Sequence, residues 1–207
     1  MTSRDGPANE DADGSDAEMI ATSVADPDAF AVVFDRHSPH IHRYLARRLG
    51  RQAADDLVAE TFLAAFRKRA GYDLTRPDAR PWLYGIATKL VSGHRRAEQR
   101  EYRLRGMAAV RQETDCHADR VAAQVTAQAM GRLLATALAE LSEGDRDVLL
   151  LIAWEGLAYD EVADALGIPV GTVRSRLNRA RRKVRLVLDA PETDLTHTNT
   201  EETTSHG

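Results

Sequence analysis

A single cysteine, Cys116, stands in a chain of 207 residues, which excludes an intrachain disulfide and a cysteine-based zinc site. Aromatic residues are also scarce, at 5% against 43% hydrophobic residues overall. A core of Leu, Val and Ala suits helices better than a β-sandwich. No apolar run approaches the roughly 18 residues needed to span a bilayer, so direct membrane insertion is not expected. The first 25 residues are too acidic and polar for a secretory signal, and a cytoplasmic protein is the expectation. There is no phosphate-binding glycine loop, no nucleophile elbow and no paired catalytic carboxylate in an apolar setting. Catalysis, a cofactor and a small-molecule substrate therefore have no residues to rest on. His37, His40 and His42 lie close together, but no cysteine or acid accompanies them at metal-ligand spacing, and a metal site is not expected.

Positive charge is almost absent from the two ends. Residues 1–30 hold eight acids and one base, and residues 189–207 hold five acids and no base. The net charge of −4 is therefore an average over ends of −7 and −5 and a middle, 31–188, of +8. Both ends lack the large apolar residues that offset the entropy of ordering, so residues 1–24 and 189–207 are expected to be disordered acidic tails. The basic body points to a polyanion as partner.

Within that body the periodicity is helical. Asp26-Pro27 reads as a helix start, and Phe30, Val33, Phe34, His37, Ile41, Tyr44, Leu45 and Arg48 recur at helical spacing, with Pro39 as a possible break. A second helix is expected over about 53–70, with acids early and bases late, as the helix dipole favours. After the loop "YDLTRPDAR", Pro81 opens a third helix to about residue 100, with Trp82, Leu83, Ile86, Leu90 and Val91 facing inward. Residues 101–124, containing Gly106 and Cys116, have no clean period and read as a linker. Helical spacing then resumes with Leu133, Leu134, Ala137, Leu138 and Leu141, and "SEGD" at 142–145 has the shape of a capping box. The expected architecture is all-α: two small helical domains, 25–100 and 125–188, joined by a flexible linker.

The stretch "YDEVADALGIPVGTVRSRL" carries a helix-turn-helix pattern. Val162 and Leu166 bury one face of a short helix, Gly167 supplies a turn at positive φ, and Ile168 plugs the turn. Val170, Val173, Leu177, Ala180, Val184 and Val187 then repeat as the buried stripe of a second helix. Seven cations and no anion occupy Arg174 to Arg185. Arginine can bond guanine edges bidentately, asparagine can do so for adenine, and later cations suit phosphates. The pattern is that of a helix entering a major groove.

A helix-turn-helix alone is shared by repressors and activators. "DDLVAETFLAAFRKR" at 55–69, "PWLYGIATKLVSGHRR" at 81–96 and "LSEGDRDVLLLIAWEGLAYDEVADALGIPVGTVRSRLNRARRK" at 141–183, in that order, resemble the bacterial sigma-70 family of RNA polymerase sigma factors. The two-module layout resembles its extracytoplasmic-function (ECF) subgroup. The resemblance covers about residues 28–188. It implies that the first module, sigma region 2, docks on the clamp helices of the largest subunit of core RNA polymerase and captures the melted −10 promoter element. It implies that the second, region 4, binds the −35 element and touches the β flap. The chain would then direct core polymerase to specific promoters and promote melting, without chemistry of its own. For −35 contacts the resemblance points to Thr172, Arg174, Ser175, Asn178, Arg179 and Arg182. Charge for −10 single-strand capture is expected from Arg76, Arg80, Lys89, Arg95 and Arg96. Asp56 and Glu60, four apart on one helix face, are expected to meet cations of the polymerase. Lys89 stands where members usually carry an asparagine that helps read the −10 element, and Gly93 where an acidic or amide residue is common. ECF members are typically held by a co-expressed anti-sigma factor, often membrane-bound, and one is expected here on the resemblance.

Overall fold

In the computed structural model, residues 14–104, 131 and 133–189 are described. The first helix, α1 (Asp16–Ala25), lies inside the segment expected to be a disordered tail, and that expectation is corrected over residues 16–24. Its start is a capping box. Ser15 Oγ accepts from the Glu18 amide at 3.3 Å, and the Ser15 amide donates to Glu18 Oε2 at 2.8 Å. Its one large buried side chain, Ile20, is fully enclosed, worth about 2 kcal/mol by transfer. Polar anchors complete the docking: Asp16 is buried against Arg36, His37 and the Ala79 amide, and Arg69 donates to the Ser23 carbonyl at 3.1 Å.

Asp26 caps a 3-10 turn at Pro27–Ala29, accepting from the Asp28 amide, and the turn leads into α2 (Phe30–Leu49). Pro39 does not end α2. It lies exposed, as does Asp35, so water can serve the carbonyl that loses its amide partner. Gly50, at φ +85, turns the chain into α3 (Arg51–Lys68). A loop then leads to α4 (Arg80–Leu104). The core of this module is Val33, Ile41, Leu45, Leu57, Phe62, Leu83 and Val91, all buried. Phe34, expected in the stripe, is 41% exposed, although its ring sits edge-on to Phe62 at 4.8 Å. Trp82 and Leu90 are half-buried against the core.

The second module contains α5 (133–139), α6 (Glu143–Ala153), α7 (Tyr159–Leu166) and α8 (Val170–Leu188). Ala137 and Leu141 are buried as expected, but Leu134 is exposed. Ser142 caps α6 by accepting from the Asp145 amide at 3.3 Å. The expected linker begins inside α4, which runs on to Leu104; residues 105–124, including Cys116, lie outside the described residues, as do 1–13 and the tail beyond Asp189.

The two modules are stacked on each other. One apolar cluster runs from Ile41, Leu45 and Leu83 through to Val148, Leu151, Val162 and Val173, and α4 packs on α7. At the crossing Gly85 lies against the backbone of Ala165, so close that an added methyl would meet the Ala165 carbonyl oxygen and sit 3.2 Å from its Cα.

Candidate nucleic-acid interface

The turn between α7 and α8 is built by Gly167. Its φ of +64 is open to glycine at little cost, and the Gly167 and Ile168 amides close the end of α7 on Asp164 and Ala163 carbonyls. Pro169 precedes α8, and the Val173 amide donates to its carbonyl at 3.1 Å. Val162 and Ala163 of α7 share one buried cluster with Val173 and Leu177 of α8; Ala180 is buried as well, while Val184 and Val187 are only half-buried. That seam fixes which way α8 turns its remaining faces. Arg174, Ser175, Asn178, Arg179 and Arg182 are exposed together, and Thr172 is half-buried with its carbonyl accepting from Ser175 Oγ. Arg181, Lys183 and Arg185 extend the exposed positive surface. Arg176 faces inward, half-buried beside Gly144. Arg179 reaches back to Asp145 at 3.0 Å.

On the first module, the loop between α3 and α4 is held from several sides. Tyr72 donates its hydroxyl to the carbonyls of Arg76 (2.8 Å) and Asp78 (3.1 Å). Burial, followed by the negative charge of Asp16 and Asp78, pushes that hydroxyl up to about 12. Asp73 accepts from both the amide and the hydroxyl of Thr75, and Asp16 accepts the Ala79 amide at 2.8 Å. Beside the loop is a cleft of about 240 Å³ lined by Tyr72, Arg76, Pro81, Trp82 and, from α7, Asp164. The Tyr72 and Trp82 rings lie 4.9 Å apart. A cleft with an aromatic wall and a guanidinium has the chemistry that holds an unstacked base and its phosphate.

The five cations expected at the −10 element fall into two groups. Lys89 and Arg96 are exposed on α4. The other three are engaged. Arg76 is paired with Asp164 and, at 3.4 Å, with Asp73. Arg80 donates to the Glu155 carbonyl at 2.7 Å. Arg95 is half-buried and donates to the Arg48 carbonyl at 3.1 Å, with burial and then the neighbouring Arg48 charge pulling its basicity down. Asp56 and Glu60 are exposed on α3.

Sequence reasoning missed a set of polar groups between the modules. Arg48 of α2 donates to Asp147 of α6 at 2.7 Å and to the Tyr44 hydroxyl at 2.8 Å, and Tyr44 in turn meets Thr88 at 2.9 Å. The Tyr84 hydroxyl donates to Glu155 Oε2 at 2.5 Å; burial first, and then this carboxylate, raises it well above its ordinary range. The Arg47 guanidinium lies over the Trp154 ring at 5.3 Å. Apart from Arg48 and Tyr44, four apart on α2, the partners are separated by dozens of residues, and local spacing carries no signal for them.

Asp16, His37 and Asp78 bring potential metal-ligand atoms within 4.8 Å of one another. The Asp16 oxygens are already taken by Arg36 (2.5 Å), His37 (2.7 Å) and the Ala79 amide, and a guanidinium at that distance opposes a bound cation.

Residues 33–101 match the family model described as Sigma-70 region 2, and residues 131–184 match that described as Sigma-70, region 4. The ECF RNA polymerase sigma factor SigL of Mycobacterium tuberculosis is 31% identical over 173 residues, covering 83% of this chain and 96% of its own. A probable RNA polymerase sigma-C factor of Mycobacterium bovis is 36% identical over 163 residues, covering 75% and 80%. Among solved structures, CnrH in complex with the cytosolic domain of CnrY is similar with a TM-score of 0.59 and 27% identity, over 85% of this chain and 98% of that one.

Proposed function

The chain belongs to the sigma-70 family of RNA polymerase sigma factors, in its ECF group, and from that premise we propose how its surfaces divide the work. The chain binds core RNA polymerase, brings it to specific promoters and promotes opening of the duplex. The −35 element is read by α8: Arg174, Ser175, Asn178 and Arg179 face base edges, while Thr172 and Arg182 hold the backbone. The cleft of Tyr72, Trp82 and Arg76 takes an unpaired base of the melted −10 strand, and Arg80, Lys89, Arg95 and Arg96, further along α4, supply charge for the rest of that strand. Asp56 and Glu60 face cations of the polymerase clamp helices. The chain supplies recognition and the polymerase supplies catalysis. Its working place is the cytoplasm; none of the described helices is long and apolar enough to cross a membrane. An anti-sigma factor is the expected regulator.

The observation that carries this reading is the pairing, in one chain, of a cationic groove-sized helix with a second module that offers an aromatic and cationic cleft. The test is reconstitution with sigma-free core polymerase on fragments of the host genome. Discrete promoter-initiated transcripts that vanish with Arg174→Ala plus Arg179→Ala support it. Duplex binding by the chain with no transcript from the reconstituted enzyme refutes it.

A further inference from the structure

The loop that carries Tyr72 and Arg76 is fastened at both ends by α1, a helix that precedes the residues matched by either family model. At the start of the loop, Arg69 donates through Nε to the Ser23 carbonyl at 3.1 Å and through a terminal nitrogen to the Phe66 carbonyl at 2.7 Å. Its guanidinium lies 3.7 Å from the centre of the Phe66 ring. At the end of the loop, the Ala79 amide donates to Asp16 Oδ2 at 2.8 Å, and the Ala79 carbonyl accepts the Leu83 amide of the first turn of α4 at 2.9 Å. Ala79 is fully buried and Asp16 is 3% exposed. A buried amide that loses its acceptor costs the full desolvation of the N–H.

The packing of α1 is small for a helix that serves only to bury core surface, since Ile20 is its one large enclosed side chain. Two of its four buried residues, Asp16 and Ser23, are polar, and each bonds one end of the loop. Asp16 is itself fixed by α2, through Arg36 at 2.5 Å and His37 at 2.7 Å. Between the two ties the loop closes on itself. Tyr72 donates to the Arg76 and Asp78 carbonyls, and the Asp78 carboxylate accepts the Arg80 amide at 2.8 Å. The Tyr72 amide donates to the carbonyl of Arg69 at 3.1 Å, and Trp82 shares the first turn of α4 with Ala79. The two rings that wall the cleft therefore stand one turn from the two tied residues, and their 4.9 Å spacing depends on where α1 holds those residues.

We propose that Asp16 and Arg69 are positioning residues for strand capture: α1, bound to both ends of the loop, sets the gap between Tyr72, Trp82 and Arg76 in which an unpaired −10 base is held. Neither residue touches the strand. Without the ties the loop still closes on itself, but the walls of the cleft are no longer held at one spacing, and the grip on a base at one fixed position is lost. The residues assigned to −35 recognition lie on α8, and Asp56 and Glu60 lie on α3, so those two functions are left alone. The inference rests on the assignment of this cleft to the melted −10 strand.

Two full-length variants test it, each assembled with core polymerase. Asp16→Asn keeps the shape of the side chain but lacks the charge that holds Arg36, His37 and the Ala79 amide together. Arg69→Met keeps an apolar stem over Phe66 and removes the donors. It leaves the buried Asp16 set intact, which guards against a folding failure in the first. Fluorescence anisotropy reads the binding of a single-stranded oligonucleotide spanning the −10 element of a promoter found by reconstitution. A companion series has one base at a time replaced by an abasic sugar. In the wild type, one abasic position is expected to cost about tenfold in affinity, the loss of one stacked base. In both variants that ratio should fall to about twofold or less, with core affinity and −35 duplex affinity within about twofold of wild type. A merely structural role does not move the ratio, because a smaller folded fraction weakens intact and abasic strands alike. An unchanged abasic ratio in the variants, or an equal loss of core, duplex and strand binding, overturns the positioning role and leaves the reading of the cleft standing. A wild type indifferent to an abasic sugar at every position overturns the assignment of the cleft, and this inference with it.

Discussion

Replacing Asp147 by alanine is the sharpest probe of how the modules hold each other. The Arg48 and Asp147 side chains are 1% and 8% exposed, and they meet at 2.7 Å. Arg48 has one other side-chain acceptor, the Tyr44 hydroxyl at 2.8 Å, and its Nε has no partner. Burial acts against the Asp147 carboxylate and pushes it upward, while the guanidinium pulls it down. Removing the carboxylate leaves a buried guanidinium with a single phenol to satisfy it. Breaking such a pair from one side costs about 3–5 kcal/mol. The chain has one escape. Because Arg48 is on α2 and Asp147 on α6, parting the modules returns Arg48 to water and limits the loss to the free energy of docking. Urea unfolding followed by circular dichroism, with small-angle scattering in parallel, distinguishes the two. Either the modules stay together and stability falls by about 3–5 kcal/mol, or the chain expands with a smaller fall. The double variant Arg48→Met with Asp147→Leu, which removes both charges and fills their volume, should return to within about 1 kcal/mol of the wild type. If Asp147→Ala lies within about 0.5 kcal/mol of wild type with unchanged dimensions, the pair carries no energy and the reasoning fails.

Asp56→Ala with Glu60→Ala should weaken core polymerase binding about tenfold or more while leaving duplex binding by the chain unchanged; surface-plasmon titration of core over immobilised chain checks this. In the holoenzyme, Arg174→Ala should cost about 1–3 kcal/mol and relax selectivity at the base pairs it faces, whereas Arg182→Ala should weaken all sequences alike and lower the salt slope by about one, both read by filter binding across a salt series. Asp16 supplies a pH dependence. Burial works to raise its pKa, but hydrogen bonds from His37, the Ala79 amide and Arg36, with the His37 charge, outweigh it and hold the carboxyl below its ordinary value. Its stabilisation of α1 is therefore complete above about pH 4 and disappears as pH falls through the lowered value. Amide exchange should show α1 losing protection below about pH 4 in the wild type, and little further pH response in Asp16→Asn.

The parts of the fold that were legible in the sequence are those specified locally. Asp26-Pro27 is a start signal and caps a turn that opens α2. Gly167 sits at positive φ where the helix-turn-helix needs it, and the spacing from Val173 through Leu177 to Ala180 gives the buried face of α8. α1 escaped because it has a single large buried side chain, Ile20. Its "SDAE" capping box was visible but stood in an acidic, polar stretch, and its docking partners are 20 or more residues away in Arg36, His37 and Ala79. The same reason hides the module interface. Glu155 and Asp164 look like ordinary surface acids until the fold sets them against Tyr84 and Arg76. Gly85 is the one local trace of that interface, a residue that helix propensity alone would not place in a helix rich in good formers.

The seven cations of α8 are not equivalent, and the difference bears on how the helix meets a groove. Arg176 is turned inward beside Gly144 and lines the cleft between the modules, so it belongs to packing. Arg179 is pinned to Asp145, but its side chain is 53% exposed, and its partner is anchored in the first turn of α6. Asp145 itself is only 6% exposed, so water screens the pair from the arginine side alone, and its strength is of the same order as the roughly 1–3 kcal/mol that a bidentate base contact offers. Asp145 therefore fixes where Arg179 points in the free chain, and a base contact by Arg179 must replace this pair. Arg181, Arg182, Lys183 and Arg185 are exposed and add phosphate attraction whatever the sequence. If α8 reads the −35 element as proposed, selectivity comes from the groups between Thr172 and Arg179, and the run of charge after them sets how firmly rather than where the helix binds.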